Sequence, residues 1–407
     1  LNIDINHWLG VNMSIKFNHL YANGILPSSR PKQVSRGKYD FAVAYPDPKS
    51  FPTDEIISSL KDAIKANPDY LAIYPPQQGN ALLRDYISHK IGRDRSIKVN
   101  SDQIILGNGS GQSIDMICSV LLNAGDAVIT DQYVYGGTLN TLRRHSAKII
   151  GVNSDAEGMD PENLSHTILK LSQQGTPPKF VYLIPTFQNP QGWTLPLHRR
   201  QEILKVCNQF GVPILEDDCY FDNRYEGEPV TSIYDLDQEN SVIYVGSFSK
   251  TIAPGMSVGY MTGPNEFLDR AMFVKSGRVS EFAAMAVYQY SVNYLDQHIS
   301  EINEIQKNKR DAMLSALGEN FGNKAKWSHP EGGLYIWVEF DDQVDITELH
   351  QNSVNDIDVG FHPGTNYSPD GKDGKHFIRL CYGFNQPDEI KEGISKLGDY
   401  LAKKGVI

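Results

Sequence analysis

The sequence predicts an α/β protein whose large domain has three layers, αβα, around a mostly parallel seven-stranded sheet, followed by a smaller α+β domain. Two observations predict this fold. From about residue 100 to 275, short apolar runs alternate with segments of helical length, which is typical of βαβ units around a parallel sheet. A long, mostly polar helical stretch follows, and beyond it lies a different mixture of strands and helix. The 407 residues are enough for two or three domains.

Each predicted element comes from a local pattern in the sequence. The predicted strands, apolar throughout, are 103–107, 127–130, 148–152, 180–184, 213–216, 241–246 and 258–262. The predicted helices between the early strands are 113–123, 137–145, 163–173 and 197–210. The long helix is 282–321, and the smaller domain has strands 333–340 and 376–381 and a closing helix, 387–403. Ligands of such a sheet bind beyond the carboxyl ends of its parallel strands.

The same pattern divides the chain into three parts. Residues 1–50 contain many Pro, Gly, Ser and Asn and show no clear periodicity, so we expect an N-terminal arm there. We expect the large domain at 51–285 and the small domain at 286–407.

Composition excludes several classes of partner. Asp and Glu number 49 against 38 Lys and Arg, a formal charge of −11, which argues against a nucleic-acid surface and against an anionic membrane. Four scattered cysteines without a CxxC pair indicate a reducing, cytoplasmic setting and no structural metal. Neither a membrane-spanning run nor a secretory leader pattern is found in the sequence.

Lys250 is the lysine whose surroundings carry the most information. It follows the strand-like run 241–246 and precedes a turn that contains proline and glycine, 251–255. Burial at such a point lowers the pKa of a lysine amine toward neutrality and makes it a nucleophile that forms a Schiff base with an aldehyde cofactor. Ser247 and Ser249 supply hydroxyls of the kind that bind a cofactor phosphate. Taken alone, the position also suits an exposed loop lysine.

Two glycine-containing segments follow earlier predicted strands. Residues 107–112 read Gly-Asn-Gly-Ser-Gly-Gln between a strand and a helix, where backbone N–H groups make a phosphate cradle. Such a turn is also common without any ligand. Residues 131–137 read Asp-Gln-Tyr-Val-Tyr-Gly-Gly. We expect Tyr135 to stack on a planar heterocycle because two glycines follow it, although loop tyrosines more often serve packing.

Two later strands end in polar groups suited to an aromatic cofactor. Asn189 follows strand 180–184 between two prolines, and its amide can donate to a phenolate oxygen. Asp217 lies within Glu-Asp-Asp-Cys-Tyr at the end of the strand that begins at 213. A carboxylate there keeps a pyridine nitrogen protonated and strengthens it as an electron sink. Tyr220 is placed to bond the same phenolate. The acidic run is also compatible with a helix N-cap.

Together and in this order, these segments resemble the fold-type-I pyridoxal-phosphate (PLP) enzymes. They are similar to class I/II aminotransferases, especially the 2-aminoadipate and aromatic branch, and to the aminotransferase-like domains of winged-helix regulators. The resemblance runs from about Tyr39 to the C-terminus. It implies a PLP-dependent aminotransferase that acts on an α-amino acid and a 2-oxo acid, and a homodimer whose subunits share their active sites.

The resemblance also implies a role for each motif residue. Lys250 becomes the internal aldimine lysine, Asp217 pairs with the pyridine nitrogen, and Tyr220 and Asn189 hold the phenolate oxygen. The remaining implied contacts are Tyr135 on the ring, Ser110, Gly111, Gln112, Ser247 and Ser249 on the phosphate, Tyr74 on the phosphate of the neighbouring subunit, Arg379 on the substrate α-carboxylate, and Asn189 and Tyr45 at the substrate. A planar bidentate fork suits Arg379 to its implied task.

This chain departs from the family pattern at two places. Ser257 stands in Ala-Pro-Gly-Met-Ser where relatives carry an arginine that neutralises the phosphate. The loss of a charge-assisted contact costs about 1.5–3 kcal/mol unless another cation replaces it, and Lys275 and Arg278 are the candidates. Ala44 and Tyr45 stand where relatives carry two glycines. We expect Tyr45 to narrow the substrate pocket.

These departures keep two alternatives open. One is a PLP enzyme of another reaction type, such as a β- or γ-lyase, a decarboxylase or a synthase. The other is a ligand-sensing regulator, because residues 24–30 contain the Leu-Pro-Ser-Ser-Arg stretch found in winged-helix regulators. About forty residues before the enzyme-like region are too few for a DNA-binding module, and the charge is wrong for a DNA reader.

Overall fold

The computed structural model describes residues 20–21 and 36–407, except the side chain of Gln351. Segment 24–30 and most of the predicted arm lie outside the described residues. The strands are β1 Tyr39–Asp40, β2 Ile105–Asn108, β3 Ala127–Asp131, β4 Lys148–Val152, β5 Ser154–Asp155, β6 Gly158–Met159, β7 Val181–Leu183, β8 Ile214–Asp217, β9 Val242–Ser247, β10 Val258–Thr262, β11 Lys326–Trp327, β12 Tyr335–Glu339, β13 Val359–Gly360, β14 His362–Pro363 and β15 Phe377–Cys381. The helices are α1 Thr53–Ala66, α2 Ala81–Arg95, α3 Gly109–Leu121, α4 Gly136–Arg144, α5 Pro161–Gln173, α6 Leu197–Phe210, α7 Ile233–Leu236, α8 Asn265–Val274, α9 Glu281–Phe321, α10 Thr347–Ile357 and α11 Pro387–Lys403.

The large sheet has seven strands in the order β2-β10-β9-β8-β7-β3-β4. Strand β10 is antiparallel to both of its neighbours, and the pairs from β9 to β4 are parallel. The mostly parallel seven-stranded sheet predicted from the sequence is therefore confirmed.

Helices cover both faces of this sheet, which gives three layers. On β8, Ile214 belongs to one buried cluster and Leu215 to another, because successive strand residues point to opposite faces. The cluster around Leu215 includes apolar residues of α3, α4 and α8. The cluster around Ile214 includes those of α5 and α6.

A second sheet forms the smaller α+β part, with four antiparallel strands in the order β11-β12-β15-β14. It packs in a separate apolar cluster with residues from the second half of α9 and from α11. Tyr39 and Phe41 belong to this cluster, and β1 pairs in parallel with β13. The segment just before the large domain is thereby fixed to the C-terminal part of the chain.

Most predicted elements are present within one or two residues of their predicted bounds. Helix α3 is an exception, because it begins at Gly109 rather than at residue 113. The glycine-rich loop is therefore the first helical turn itself. Helices α1 and α2 were not predicted; α2 has charged or polar side chains over much of its surface, which hides an apolar stripe around Leu83 and Ile87. Within the described residues, no helix is both long and apolar enough to cross a bilayer.

Candidate active site

Four of the predicted site residues lie at or beyond the carboxyl ends of adjacent strands. Lys250 follows β9, Asp217 ends β8, Asn189 follows β7 and Tyr135 follows β3. Since β9, β8, β7 and β3 are consecutive in the sheet, their ends lie side by side. Sheet order thus brings together residues more than one hundred positions apart in the sequence.

Lys250 is half-buried and its amine donates to the carbonyl oxygen of Ala44 at 3.1 Å. Burial lowers the pKa of Lys250 from its ordinary value, against smaller opposing effects of Cys219 and Cys381. A lower pKa increases the neutral, nucleophilic fraction of the amine. The chain segment before α1 therefore contacts the residue around which the site is arranged.

Asp217 is 2% exposed and its two carboxylate oxygens differ. Oδ2 accepts a hydrogen bond from the hydroxyl of Tyr182 at 2.7 Å, while Oδ1 is buried without a partner among the described residues. Burial raises the pKa of Asp217 to about 6, and the Tyr182 bond opposes that rise. Because an unpaired buried carboxylate oxygen is costly, Oδ1 is suited to receive a donor from a bound molecule.

Asn189, Tyr220, Tyr335 and Arg379 form one buried polar network. The Asn189 amide donates to the Tyr220 hydroxyl at 3.2 Å, and that hydroxyl lies 2.8 Å from the hydroxyl of Tyr335. Arg379 Nη1 donates to Asn189 Oδ1 at 3.2 Å. The network orients the Asn189 amide, since its oxygen is committed to the arginine.

Arg379 is 3% exposed and has no ion-pair partner among the described residues. Its guanidinium lies 4.5 Å from the ring centroid of Tyr335 and 5.0 Å from that of Tyr367, and it also donates to the carbonyl oxygen of Ala42. Its Nε is buried without a partner among those residues. A buried guanidinium held between aromatic rings suits a carboxylate ligand.

A cavity of about 630 Å³ opens beside this arginine. Its lining includes Arg379, Tyr135, Tyr367, His362 and Tyr45. Burial, with Arg379 nearby, lowers the pKa of His362 to about 3, so this imidazole is neutral at physiological pH. Tyr45 is 41% exposed and lies on the wall of the cavity.

The predicted phosphate residues lie on both sides of β10. Gly259 pairs with Gly107 of β2 on one side and with Ser247 of β9 on the other. A Cβ at Gly259 would lie 2.6 Å from the backbone nitrogen of Ser110, so only glycine permits this approach. The first turn of α3 and the Ser247–Ser249 segment thereby meet across β10.

The groups at this predicted phosphate site differ in whether they are free to bind a ligand. Ser110 and Gly111 lie in the first turn of α3, where backbone N–H groups have no partner within the helix. The Gln112 side chain is already engaged, with its oxygen on the Asn108 N–H at 2.8 Å and its nitrogen on the Ser276 carbonyl at 2.9 Å. The hydroxyl of Ser247 accepts from the Ser249 N–H at 3.1 Å.

Ser257 is at this cradle. Its Oγ would lie 3.3 Å from a Cβ placed on Gly109, at the start of α3. Lys275 and Arg278 belong to the loop after α8. The Gln112 side chain donates to the Ser276 carbonyl of this loop at 2.9 Å, and the Asn108 side chain donates to the Arg278 carbonyl at 3.4 Å. Both candidate cations are thus carried on a loop that contacts the first turn of α3.

Tyr135 and Tyr74 are both largely accessible. Tyr135 is 42% exposed, and a Cβ at Gly137 would lie 2.5 Å from its Cε1, so the ring lies directly over a glycine. Tyr74 is 87% exposed, with the Arg278 guanidinium 5.5 Å from its ring centroid. The structure places Tyr135 at the cavity and Tyr74 on an outer surface.

Several residues of the site were not singled out from the sequence. Tyr182, Tyr335 and Tyr367 lie on predicted strands or in an irregular segment, and nothing local distinguishes them from core aromatics. Thr138 donates to the Tyr182 hydroxyl at 3.0 Å. The signal for Tyr182 was its position on a strand whose end carries Asn189.

Comparisons with known proteins agree with this arrangement. The family model "Aminotransferase class I and II" matches residues 43–397. The aromatic-amino-acid aminotransferase 1 of Thermococcus litoralis is 31% identical over 363 residues, 88% of this chain and 87% of that protein. The Pyrococcus horikoshii kynurenine aminotransferase, solved with PMP, has a TM-score of 0.86 at 32% identity and covers 91% of this chain and 92% of its own. The α-aminoadipate aminotransferase of Thermus thermophilus, solved with N-(5′-phosphopyridoxyl)-L-leucine, has a TM-score of 0.86 at 26% identity and covers 96% of this chain and 99% of its own.

The fold and the site therefore define a fold-type-I PLP-dependent enzyme. The chain belongs to the class I and II aminotransferase family, and it is an aminotransferase whose cofactor is PLP. The reaction is transamination, and the lyase, decarboxylase and synthase alternatives are not favoured.

Proposed function

We propose that transamination in this protein is carried out by Lys250 together with Asp217, Asn189, Tyr220 and Arg379. One observation carries the proposal. Asp217 presents a buried carboxylate oxygen that has no partner among the described residues; it lies at the end of β8, next to the strand end that precedes Lys250. The pyridinium N–H of PLP is a donor of the kind that this oxygen needs, and the α3 cradle with Ser247 and Ser249 suits its phosphate. The residues present fit this cofactor.

Bound PLP supplies an electrophilic carbon and an electron sink, which allow an amino group to pass from an amino acid to a 2-oxo acid. Lys250 Nζ would hold the cofactor covalently and, once released as a neutral amine, would take the proton from the substrate Cα and deliver it to the cofactor carbon to which the lysine had been bound. Asp217 Oδ1 would accept from the ring N–H. Asn189 Nδ2 and the Tyr220 hydroxyl would donate to the phenolate oxygen, and Tyr135 would pack against the ring.

Arg379 is proposed to bind the substrate α-carboxylate. Its burial and its lack of a carboxylate partner among the described residues support this role. The carbonyl of Ala42 and the amide oxygen of Asn189 hold the guanidinium in place. The neighbouring Tyr45, on the cavity wall, is proposed to contact the rest of the substrate.

We propose that the protein is a homodimer with shared sites, in which Tyr74 reaches the phosphate in the partner subunit. Exposed apolar side chains support this surface. Tyr74 is 87% and Phe273 91% exposed, and the Gln77 amide, which donates to the carbonyl of Lys275 at 2.6 Å, ties their segments together. Four free cysteines support a reducing, cytoplasmic setting.

Borohydride reduction of the PLP-loaded protein, followed by peptide mass spectrometry, tests the assignment of Lys250. We expect one modified peptide, containing Lys250, because only a half-buried amine with a lowered pKa at the site forms the covalent link. Lys250→Ala should abolish the label, and Lys148→Ala, which removes an exposed lysine, should leave it unchanged. Labelling of another lysine in the unchanged protein would contradict the assignment.

A single-turnover assay tests the reaction itself. Protein incubated with an amino acid and no acceptor should form about one equivalent of 2-oxo acid per site and no further product. Catalytic release of ammonia or of carbon dioxide instead would indicate a lyase or a decarboxylase.

A further inference from the structure

Thr138, Tyr182 and Asp217 form a continuous hydrogen-bonded chain behind the site. Thr138 Oγ1 lies 3.0 Å from the Tyr182 hydroxyl, which lies 2.7 Å from Asp217 Oδ2. The exposed fractions are 1% for Thr138, 0% for Tyr182 and 2% for Asp217. The chain connects α4, β7 and β8, so three elements fix its geometry.

The direction of these bonds follows from counting protons. An ionised carboxylate only accepts, so Tyr182 donates its single proton to Asp217. The Tyr182 oxygen is then left as an acceptor, and Thr138 donates to it. Burial, and then the Asp217 charge, raise the pKa of Tyr182 well above its ordinary value, so the phenol keeps its proton. Thr138 prevents Tyr182 from turning its proton elsewhere.

We infer that Tyr182 is a positioning residue for the cofactor ring, and that Thr138 acts only through it. Tyr182 keeps Asp217 ionised and turns Oδ1 toward the ring nitrogen. The inference rests on the proposed pairing of Asp217 with that nitrogen. Without the Tyr182 hydroxyl, a carboxyl group this deeply buried holds its proton to higher pH and no longer accepts from the ring.

Other groups also face Asp217. Cys219 and Asp218 lie on its own loop, and Tyr135 and Lys250 are close enough to sense its charge. Among these groups and Tyr182, the Tyr182 hydroxyl makes the short 2.7 Å bond to the carboxylate. Removal of that bond therefore changes the pKa and the orientation of the Asp217 carboxylate while the charged groups around it stay in place.

The test compares two cofactors on cofactor-free full-length protein. One is PLP, and the other is 1-deazapyridoxal 5′-phosphate, in which a carbon replaces the ring nitrogen. We expect Tyr182→Phe to weaken PLP binding about tenfold and to leave the dissociation constant of the deaza analogue unchanged. Only PLP has a ring N–H that bonds to the charged Asp217, so only PLP binding depends on the state of that carboxylate. The pH midpoint of PLP binding should rise by about one unit in this variant.

Two further variants separate positioning from packing. Tyr244→Phe removes another buried hydroxyl, which donates to Asp218 at 3.1 Å, and should leave the ratio of the two dissociation constants unchanged. Thr138→Val should weaken PLP binding about threefold in the native background and not at all in Tyr182→Phe.

An equal loss of affinity for both cofactors in Tyr182→Phe, or no loss of affinity for either, would overturn the inference. So would a full effect of Thr138→Val in the Tyr182→Phe background. If Tyr182→Phe does not fold, Thr138→Val with the two cofactors decides the matter in the same way. Asp217→Asn provides the check on the underlying assignment: if it too fails to discriminate between the cofactors, the ring-nitrogen pairing itself is wrong.

Discussion

Glu216, Asp217 and Asp218 are consecutive in the chain, yet each carboxylate has a different partner. Glu216 accepts the N–H groups of Ile233 and Tyr234 at 3.0 and 2.8 Å, at the start of the short helix α7. Asp218 pairs with Arg95 at 2.7 Å. Only Asp217 is directed at the site. Glu216 thus binds the first N–H groups of α7 from the end of β8, while the N-cap residue of that helix is Ser232.

Asp217→Asn should stabilise the cofactor-free protein at neutral pH. The pKa of Asp217 rises from 3.8 to about 6 on folding, so the folded state binds this proton more tightly than the unfolded state does. Protonation of Asp217 therefore adds to the free energy of unfolding at low pH. This contribution, up to about 3 kcal/mol, is lost as the pH rises through 6. We expect the variant to gain about 1–3 kcal/mol at pH 8 and less at pH 5.

Urea unfolding of the cofactor-free protein at both pH values measures this difference. Asp62→Asn, a change of an exposed aspartate on α1, is the control and should have little effect at either pH. A gain that is larger at pH 5 than at pH 8 would show that the sign is wrong.

The loop between α8 and α9 carries the two cations, Lys275 and Arg278, near the proposed phosphate site. Lys275 is 3% exposed and its amine donates to the Gly277 carbonyl at 3.0 Å, within the same loop. Arg278 is exposed, with its guanidinium over Tyr74. Arg278 is therefore the cation that is available to an outside anion, whereas Lys275 is committed to the loop. Ser257 supplies a hydroxyl but no charge.

Arg278→Ala should weaken PLP binding about tenfold and leave binding of pyridoxal, which has no phosphate, unchanged, because a charge-assisted phosphate contact is removed. Arg270→Ala, on α8 and paired with Glu266 at 2.9 Å, is the matched control. Ser257→Arg should restore PLP binding in the Arg278→Ala background. Fluorescence titration gives each dissociation constant; parallel losses for PLP and pyridoxal would contradict the role of Arg278.

At the scale of the whole molecule, sheet order determines which residues meet at the site, and the outer surface carries the proposed dimer contact. The order β9-β8-β7-β3 assembles the site within one chain, whereas Tyr74 lies on the surface that we propose for dimer contact. The 41-residue helix α9 contributes to two apolar clusters, one with the strands of the large sheet and one with β12 and β15. The domain boundaries at 50/51 and 285/286 stay predictions.

Hybrid dimers test the shared site. When Lys250→Ala and Tyr74→Ala chains are unfolded together and reassembled, a hybrid has one site with both changes and one native site. Random pairing in a two-fold dimer then restores about a quarter of the native sites. Activity should exceed that of either variant alone, and sedimentation should show dimers. No recovery despite confirmed hybrids would mean that Tyr74 serves its own chain's site.

Much of the site could be predicted because its residues follow strands that local pattern reveals. The motifs around Lys250, Asp217, Asn189 and Tyr135 each combine a buried apolar run with a turn of Gly, Pro or polar residues. Parallel strands align their carboxyl ends at one edge of the sheet, and the adjacent order β9-β8-β7-β3 then places these positions side by side. Tyr182 and Tyr335 could not be predicted, because their hydroxyl partners come from other elements.

Local patterns in the sequence were enough to predict the alternation of strands and helices, the family and the cofactor, since each depends on neighbours within a few positions; the role of Lys250 stays a prediction. The tertiary structure alone shows that Gly259 lies between the two predicted phosphate-binding segments, that the carbonyl of Ala44 accepts from the Lys250 amine, and that Thr138 and Tyr182 lie behind Asp217. Those contacts join residues that are distant in sequence. Lateral strand order and side-chain packing fix them, and neither leaves a periodic signal in the chain.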